Sequence, residues 1–439
     1  MSHPMSVFQQ TAVRMEQLRP GYLTNPRAVL TILADITGPL DTQALDVAFN
    51  DLIARHDVLR AHPVPGTTRV EILPADKTAL EPVGPTGVIK DDFQAMTVLL
   101  DSTTIDLTRP ILARGFLLTH TAERHLLGLA FHHFAVDPTS LRLALGELAA
   151  LYTARLRGRR LPPVRLPYTE YVRWQADRFH ARADADRAAW HDALAGIPVP
   201  AYERDQPFHP GAPAGGRVLR TELLDNAEVE TVLAWSRRHR STVFTTLLAA
   251  YVLALRARSR RDDLIVTTIF EQREHPAVRD LIGPFLYPTF LPLRVRPGRR
   301  LTEDFMTEIR GAVLHGYEHA RFPILDMLGL APHLAPGIQG LEPSWYRMFE
   351  YLPGRDTTPY AFAEAGATVA YSAGNQDDAG RFGHSMRVRR SAEGALMARI
   401  GYDANDDSED SILAFLDTFR THLSELEVTA RRSPSGKRR

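Results

Sequence analysis

Between Arg124 and Leu156 the hydrophobic period of the chain changes within a few residues, and this change constrains the fold more than any other feature. Residues 124–131 (RHLLGLAF) form a short apolar run of strand length. Further on, Leu141, Ala144, Leu145, Leu148, Leu151 and Tyr152 follow the spacing of a buried helix face. A polar junction, His132-His133-Phe134-Ala135-Val136-Asp137-Pro138, joins the two. Proline suits the first helical position, where an N–H would have no partner, and it holds the preceding residue extended. Asp137 therefore sits where a carboxylate caps a helix. The unit is strand, junction, helix, which calls for helices packed on a sheet.

The same alternation recurs along the chain. A strand at 29–36 precedes a helix at 41–59, with Leu45, Ala48, Phe49, Leu52 and Ile53 on one face and Asp41 as N-cap. Residues 198–216 are rich in Pro and Gly and read as a connector. Beyond it the spacing predicts a strand at 218–224 and helices at 227–238 and 242–255. It then predicts strands at 264–270 and 291–295, a helix at 302–319, a hairpin about Glu393-Gly394 and a closing helix at 412–426. The expected organisation is an N-terminal lobe at 1–180, a C-terminal lobe at 181–430 containing the connector, and a disordered basic tail at 431–439 (RRSPSGKRR).

Composition excludes several classes of function. Lys+Arg and Asp+Glu are both 52, so the formal net charge is zero and no overall positive field exists to neutralise nucleic-acid phosphates. The chain has no Cys, which rules out disulfides, Cys-ligated zinc, iron–sulfur clusters and a thiolate nucleophile. Residues 1–17 lack the basic-then-apolar order of a secretory signal. The longest apolar run, Leu247 to Leu255, is about half of what a membrane span needs. A cytoplasmic protein with neither nucleic-acid nor membrane partners is the expectation.

Adjacent histidines at a strand end point to opposite faces, so only one of His132 and His133 faces a given cleft. Read without context, the junction is equally a core histidine pair beside a capping aspartate. Two rival motifs are weaker. His315-Gly316-Tyr317-Glu318-His319 satisfies H-x-x-E-H, with both histidines on one helical face, but no third zinc ligand is apparent. Gly383-His384-Ser385-Met386-Arg387 falls short of G-x-S-x-G. There is no P-loop or dinucleotide fingerprint, and no metal is expected.

The junction resembles the H-H-x-x-x-D-G motif of the condensation domains of nonribosomal peptide synthetases, and other segments extend the resemblance in the family's order. Arg55-His56-Asp57-Val58-Leu59-Arg60 is similar to R-H-E-x-L-R, and residues 168–175 (YTEYVRWQ) to Y-x-D-[FY]-A-x-W-Q. Arg273 precedes Ile282-Gly283-Pro284-Phe285 as an arginine precedes the family's I-G-x-F. His319-Ala320-Arg321-Phe322-Pro323, residues 346–351 (YRMFEY) and Tyr402-Asp403-Ala404 match three later blocks. The resemblance implies an α/β (α+β) fold of two chloramphenicol-acetyltransferase-like lobes arranged as a V-shaped pseudodimer, with the active site in a tunnel between them.

It also implies roles. His133 is the expected catalytic residue, and a neutral imidazole with an ordinary pKa near 6.5 accepts a proton from an attacking amine or hydroxyl. His132 and Asp137 are expected to be structural, with Asp137 bridging to Arg273 across the lobes. Pro138, Thr139, Ser140, Tyr287 and His319 are candidate oxyanion or substrate contacts. The family's Gly after Asp is Pro138 here, and proline has no N–H to donate, leaving the N–H groups of Thr139 and Ser140 and the Ser140 hydroxyl at that helix start. The Asn-Thr pair that follows the family's Gly-x-Phe is replaced by Leu286-Tyr287-Pro288-Thr289, and Phe382-Gly383-His384 stands where the family has Phe-Asp-Leu.

The resulting expectation is a free-standing condensation enzyme that joins a carrier-tethered acyl thioester to an amine or alcohol acceptor, small or itself carrier-bound. A peptidyl or acyl carrier protein would act in trans and bring the phosphopantetheine arm, with no cofactor held tightly. Two alternatives remain: a catalytically impaired platform that recruits carriers or tailoring enzymes, and an acyl-CoA-dependent O- or N-acyltransferase.

Overall fold

The computed structural model describes residues 2–432 apart from 201, 203, 210–214, 260, 274, 340–341, 354–358, 375–382 and 392. The basic tail and Phe382 thus lie outside the described residues, except that Arg431 and Arg432 end the last helix. The chain forms two compact units. One comprises Met1–Arg182, Glu271–Tyr287 and Thr357–Gln376, and the other Ala183–Phe270, Pro288–Asp356 and Asp377–Arg439. Two segments from the later half of the sequence are therefore built into the first unit.

The first unit is organised around a six-stranded sheet in the order Tyr360–Phe362, Ala365–Gly374, Val29–Thr37, Arg124–His132, Ala113–Thr121, Glu81–Val83. Every adjacent pair is antiparallel except the last, which is parallel. The central strands are apolar along almost their whole length because helices cover both faces. Met96 and Leu100 of the helix Ile89–Ser102 lie over Gly128, while Phe49 of the helix Thr42–Arg55 lies over Gly115 on the opposite face. Asp41 caps that second helix by accepting from the Ala44 N–H at 2.9 Å, as the sequence predicts. A small antiparallel sheet of Ser2–Pro4, Arg69–Ile72 and Ala61–Pro63 completes the strands of this unit.

The second unit repeats the theme with a six-stranded sheet in the order Leu286–Arg294, Asp263–Glu271, Arg347–Leu352, His384–Arg390, Leu396–Asp403, Gly216–Leu224. Its middle pairs are parallel and its last two antiparallel. The hairpin turns at Gly394, whose φ of 98° is the left-handed conformation glycine adopts without strain. Val243–Ser259 is the unit's central helix, buried continuously from Thr245 to Leu255. It packs against the closing helix Glu409–Arg432, where Phe415 meets Tyr251 edge-on at 5.5 Å. Each unit is thus α/β, helices on a mixed sheet. Among the described residues no helix is long and apolar enough to cross a membrane.

Separate blocks of the sequence interlock in the first unit. Asp57 accepts from the Tyr168 and Thr169 N–H groups, both at 3.0 Å, and so caps the start of the helix Tyr168–Leu194 from a distant part of the chain. The Tyr168 hydroxyl donates to the Pro284 carbonyl at 3.0 Å, and its ring lies against Gly283 with no room for a methyl group. Gly283→Ala should therefore displace the buried ring and lower stability by about 1–3 kcal/mol, seen as a lower urea midpoint with an unchanged slope.

Candidate active site

The strand Arg124–His132 delivers both histidines to the junction, and backbone bonds carry its ladder one residue further. The His133 N–H donates to the Ala28 carbonyl at 2.7 Å, and the Ala135 N–H closes a turn onto the His132 carbonyl at 2.8 Å. The side chains then diverge. His132 is fully buried: its Nε2 bonds to the Leu23 carbonyl at 2.9 Å and its Nδ1 accepts from the Phe134 N–H at 3.0 Å. Those partners demand the neutral ring with its proton on Nε2. Burial accordingly lowers the His132 pKa to about 4.

His133 has the reverse arrangement. Its Nδ1 bonds to the Val136 carbonyl at 2.7 Å, and a carbonyl only accepts, so Nδ1 carries the proton. In the neutral ring the basic lone pair is then on Nε2. The ring is half-buried and tilted against Phe8, with centroids 4.9 Å apart. Phe8 belongs to the helix Val7–Leu18, whose N-terminus is closed by a capping box between Ser6 and Gln9. That helix is pinned to the junction where Gln9 donates to the Phe134 carbonyl at 3.2 Å. Nothing in the motif identifies Phe8, because an aromatic on an amphipathic helix reads as ordinary core.

Asp137 is completely buried and surrounded by donors. It accepts from the Ser140 N–H at 2.7 Å, the Ser140 hydroxyl at 2.8 Å, the Phe285 N–H at 3.0 Å and Arg273 at 2.9 and 3.0 Å. Burial pushes its carboxyl up from the ordinary value and Glu271 adds to this, while Arg273 and Ser140 oppose it. Every partner donates, so the cage fits the ionised form. The carboxylate both caps the helix Pro138–Leu156 and anchors the segment 271–287.

Arg273 forms the ion pair expected of it, but both partners lie in the first unit and the bridge does not run across the lobes. The reason is that residues 271–287 pack into this unit. Arg273 gathers that segment by donating to the carbonyls of Val278 and Leu281 at 2.9 and 2.7 Å and to Glu271 at 2.7 Å, and it lies 4.1 Å from the Phe285 ring centroid. The other oxygen of Glu271 accepts from the Thr139 hydroxyl at 3.1 Å. Glu271 is a second acidic residue at the junction that the motif does not reveal.

Pro138 is exposed and Thr139 half-buried, so both border solvent at the start of the helix. Ser140 does not fit the expectation of a substrate contact. It is fully buried, its N–H and hydroxyl are spent on Asp137, and the hydroxyl also bonds to Gly283. Tyr287 is likewise a core residue, its hydroxyl bonded to Gln175 and to Tyr171 rather than facing a cleft. His319 belongs to the second unit, where its Nδ1 pairs with the buried carboxylate of Asp186 at 2.7 Å and its carbonyl accepts from Trp190 at 3.0 Å. His315 lies edge-on to Trp190, and among the described residues no group of three potential ligands is placed to hold a metal ion.

The family model for the condensation domain matches residues 14–431. The chain belongs to the condensation-domain family. Tyrocidine synthase 2 of Brevibacillus parabrevis is 29% identical over 360 residues, which is 79% of this chain and 9% of that protein. The chain thus spans about a tenth of the length of that relative. SgcC5 from Streptomyces globisporus has the same fold, with a TM-score of 0.80 at 23% identity over 96% of this chain and 99% of that one. The X-domain from teicoplanin biosynthesis, whose structure is also known in complex with OxyB, has a TM-score of 0.76 at 22% identity over 96% of this chain and 94% of that one.

Two outcomes follow from this geometry. Arg273→Ala strands a buried carboxylate and should cost about 3–5 kcal/mol in chemical denaturation. Arg273→Lys should recover less than half of that, because one ammonium does not span Asp137 and the two carbonyls. The folded state keeps His132 neutral down to about pH 4, whereas the unfolded chain takes up a proton near its ordinary value of 6.5. The associated stability is therefore whole above pH 6.5 and falls by about 3 kcal/mol as the pH drops from there to about 4. Urea midpoints across that window should show the fall, with a shallower slope in His132→Asn.

Proposed function

We infer that the chain is a condensation enzyme, forming an amide or ester from an acyl thioester on the phosphopantetheine arm of a carrier protein and an amine or hydroxyl acceptor. The observation that carries this reading is the His133 tautomer. With Nδ1–H held by the Val136 carbonyl, the lone pair at Nε2 is oriented by the backbone and not left to rotamer choice. In the reaction the acceptor nitrogen or oxygen attacks the thioester carbonyl and Nε2 takes the acceptor's proton. The C–S bond then breaks, and the proton held at Nε2 passes to the departing pantetheine sulfur, which leaves as the thiol and returns the imidazole to its neutral form. Asp137 is a positioning residue because it is sealed from solvent behind its own donors. It fixes the start of the helix Pro138–Leu156 and thereby the turn that holds His133.

Pro138 bears on rate. No N–H is available at this first helical position, so any stabilisation of a developing oxyanion falls to other donors. This observation favours a second reading, a condensation-like platform that binds carriers or tailoring enzymes without turnover, and the likeness to the X-domain solved with OxyB agrees with it.

One assay separates the readings. Product formation is followed with acyl-carrier and acyl-CoA donors and an amine acceptor, for wild type and His133→Ala. The enzyme reading expects turnover with the carrier-bound donor, reduced about 10²- to 10⁴-fold in the variant. Faster turnover with acyl-CoA would make it an acyl-CoA-dependent acyltransferase. Carrier binding without product from any donor would replace the enzyme with the platform, and equal rates in wild type and variant would remove His133 from the chemistry.

A further inference from the structure

The helix Pro138–Leu156 starts at the catalytic junction and ends at a cavity that the proposed reaction does not use. This cavity has a volume of about 550 Å³ and lies wholly in the first unit. Its floor is made of small residues on the helix, among them Gly146, Ala149 and Ala150, and one wall is formed by Tyr360 and Pro359. The Tyr360 ring sits so close to Gly146 that an added methyl would be 3.3 Å from it, which marks the floor as a flat seat beside an aromatic ring. Arg157, Arg159 and Arg160 line the mouth.

The backbone of Arg157, Gly158 and Arg159 is held by the way the helix ends. Gly158 adopts φ of 62°, the Gly158 N–H donates to the Arg155 carbonyl at 3.0 Å, and the Arg159 N–H reaches back to the Ala154 carbonyl at 2.8 Å. This is a Schellman closure, which satisfies the last carbonyls with backbone donors. The guanidinium groups are therefore not needed as caps. Further on, Arg55 donates to the Pro162 carbonyl at 2.8 Å and pins the chain as it leaves. All three arginines are exposed, and among the described residues none of them has a side-chain partner. Among the described residues no carboxylate lines the cavity. In a chain with zero net charge, three unneutralised guanidinium groups within four residues form a strong local field.

We propose that this cavity binds a small phosphorylated compound, with the phosphate held by Arg157, Arg159 and Arg160 and a flat apolar group seated between Tyr360 and the alanine floor. Guanidinium groups match phosphate in a planar, two-pronged way, and three of them suit a multiply charged group. The volume falls within the range of small-molecule sites, and the mixed lining separates an anionic end from an apolar one. The site lies at the opposite end of the helix from His133 and needs no catalytic residue.

The test is calorimetric titration of the intact chain with ADP, pyrophosphate and adenosine at low and high salt. ADP is expected to bind more tightly than either fragment, and to weaken at least tenfold when Arg157, Arg159 and Arg160 are all replaced by Ala. Ala150→Trp, which fills the floor and keeps the charge, should weaken ADP while leaving pyrophosphate unchanged. Urea midpoints equal to wild type would show that both variants are folded. The proposal is overturned by no ADP or pyrophosphate binding at millimolar concentration, or by binding that the folded triple variant retains. Capture of an acidic protein by these arginines with no small phosphate bound would also overturn it.

Discussion

The buried pair of Asp137 and Arg273 is the interaction on which the junction depends. A carboxylate removed from water costs several kcal/mol unless its lone pairs are met, and here they are met by two backbone N–H groups, a hydroxyl and a guanidinium. The cost of burial is offset only when the helix start, Ser140 and the segment 271–287 are all in place. One charge thus makes two distant parts of the chain cooperative, the helix start with its Ser140 and the segment 271–287. The Asp137 cap also sets where the helix begins, and so where the turn carrying His133 must end.

The two neighbouring histidines show how backbone carbonyls assign chemistry. His132 and His133 are the same side chain one position apart, yet one is protonated on Nε2 and the other on Nδ1. Strand alternation sends the first into the core, where both ring nitrogens are consumed. The second stays half-buried beside Phe8, with its proton held by Val136. Of the two readings open in the sequence, the core reading describes His132, and the proposed catalytic role falls to His133.

Much of the fold was legible because its signals are local. The caps at Asp41 and Asp137, the proline that opens the helix after the junction and the hairpin glycine at 394 each act through their own neighbours. The family blocks were visible one by one, but not that Asp57 of one block caps the helix of another, or that Tyr168 needs the bare backbone of Gly283. Ser140 and Tyr287 looked available because a hydroxyl in sequence shows its chemistry and not its neighbours. In the fold, Asp137, Gly283, Tyr171 and Gln175 have already taken them.

By itself the sequence determined the family, through the motif blocks that resemble it, and the alternation of strands and helices and the start of the helix at the junction, because hydrophobic period, capping and proline geometry act over a few residues. Tertiary structure alone decided which unit Arg273 serves, that the His132 proton sits on Nε2 facing Leu23, and which hydroxyls are consumed. Those outcomes depend on groups more than a hundred residues apart, and the burial they create sets the protonation states and hydrogen bonds that local chain geometry leaves open.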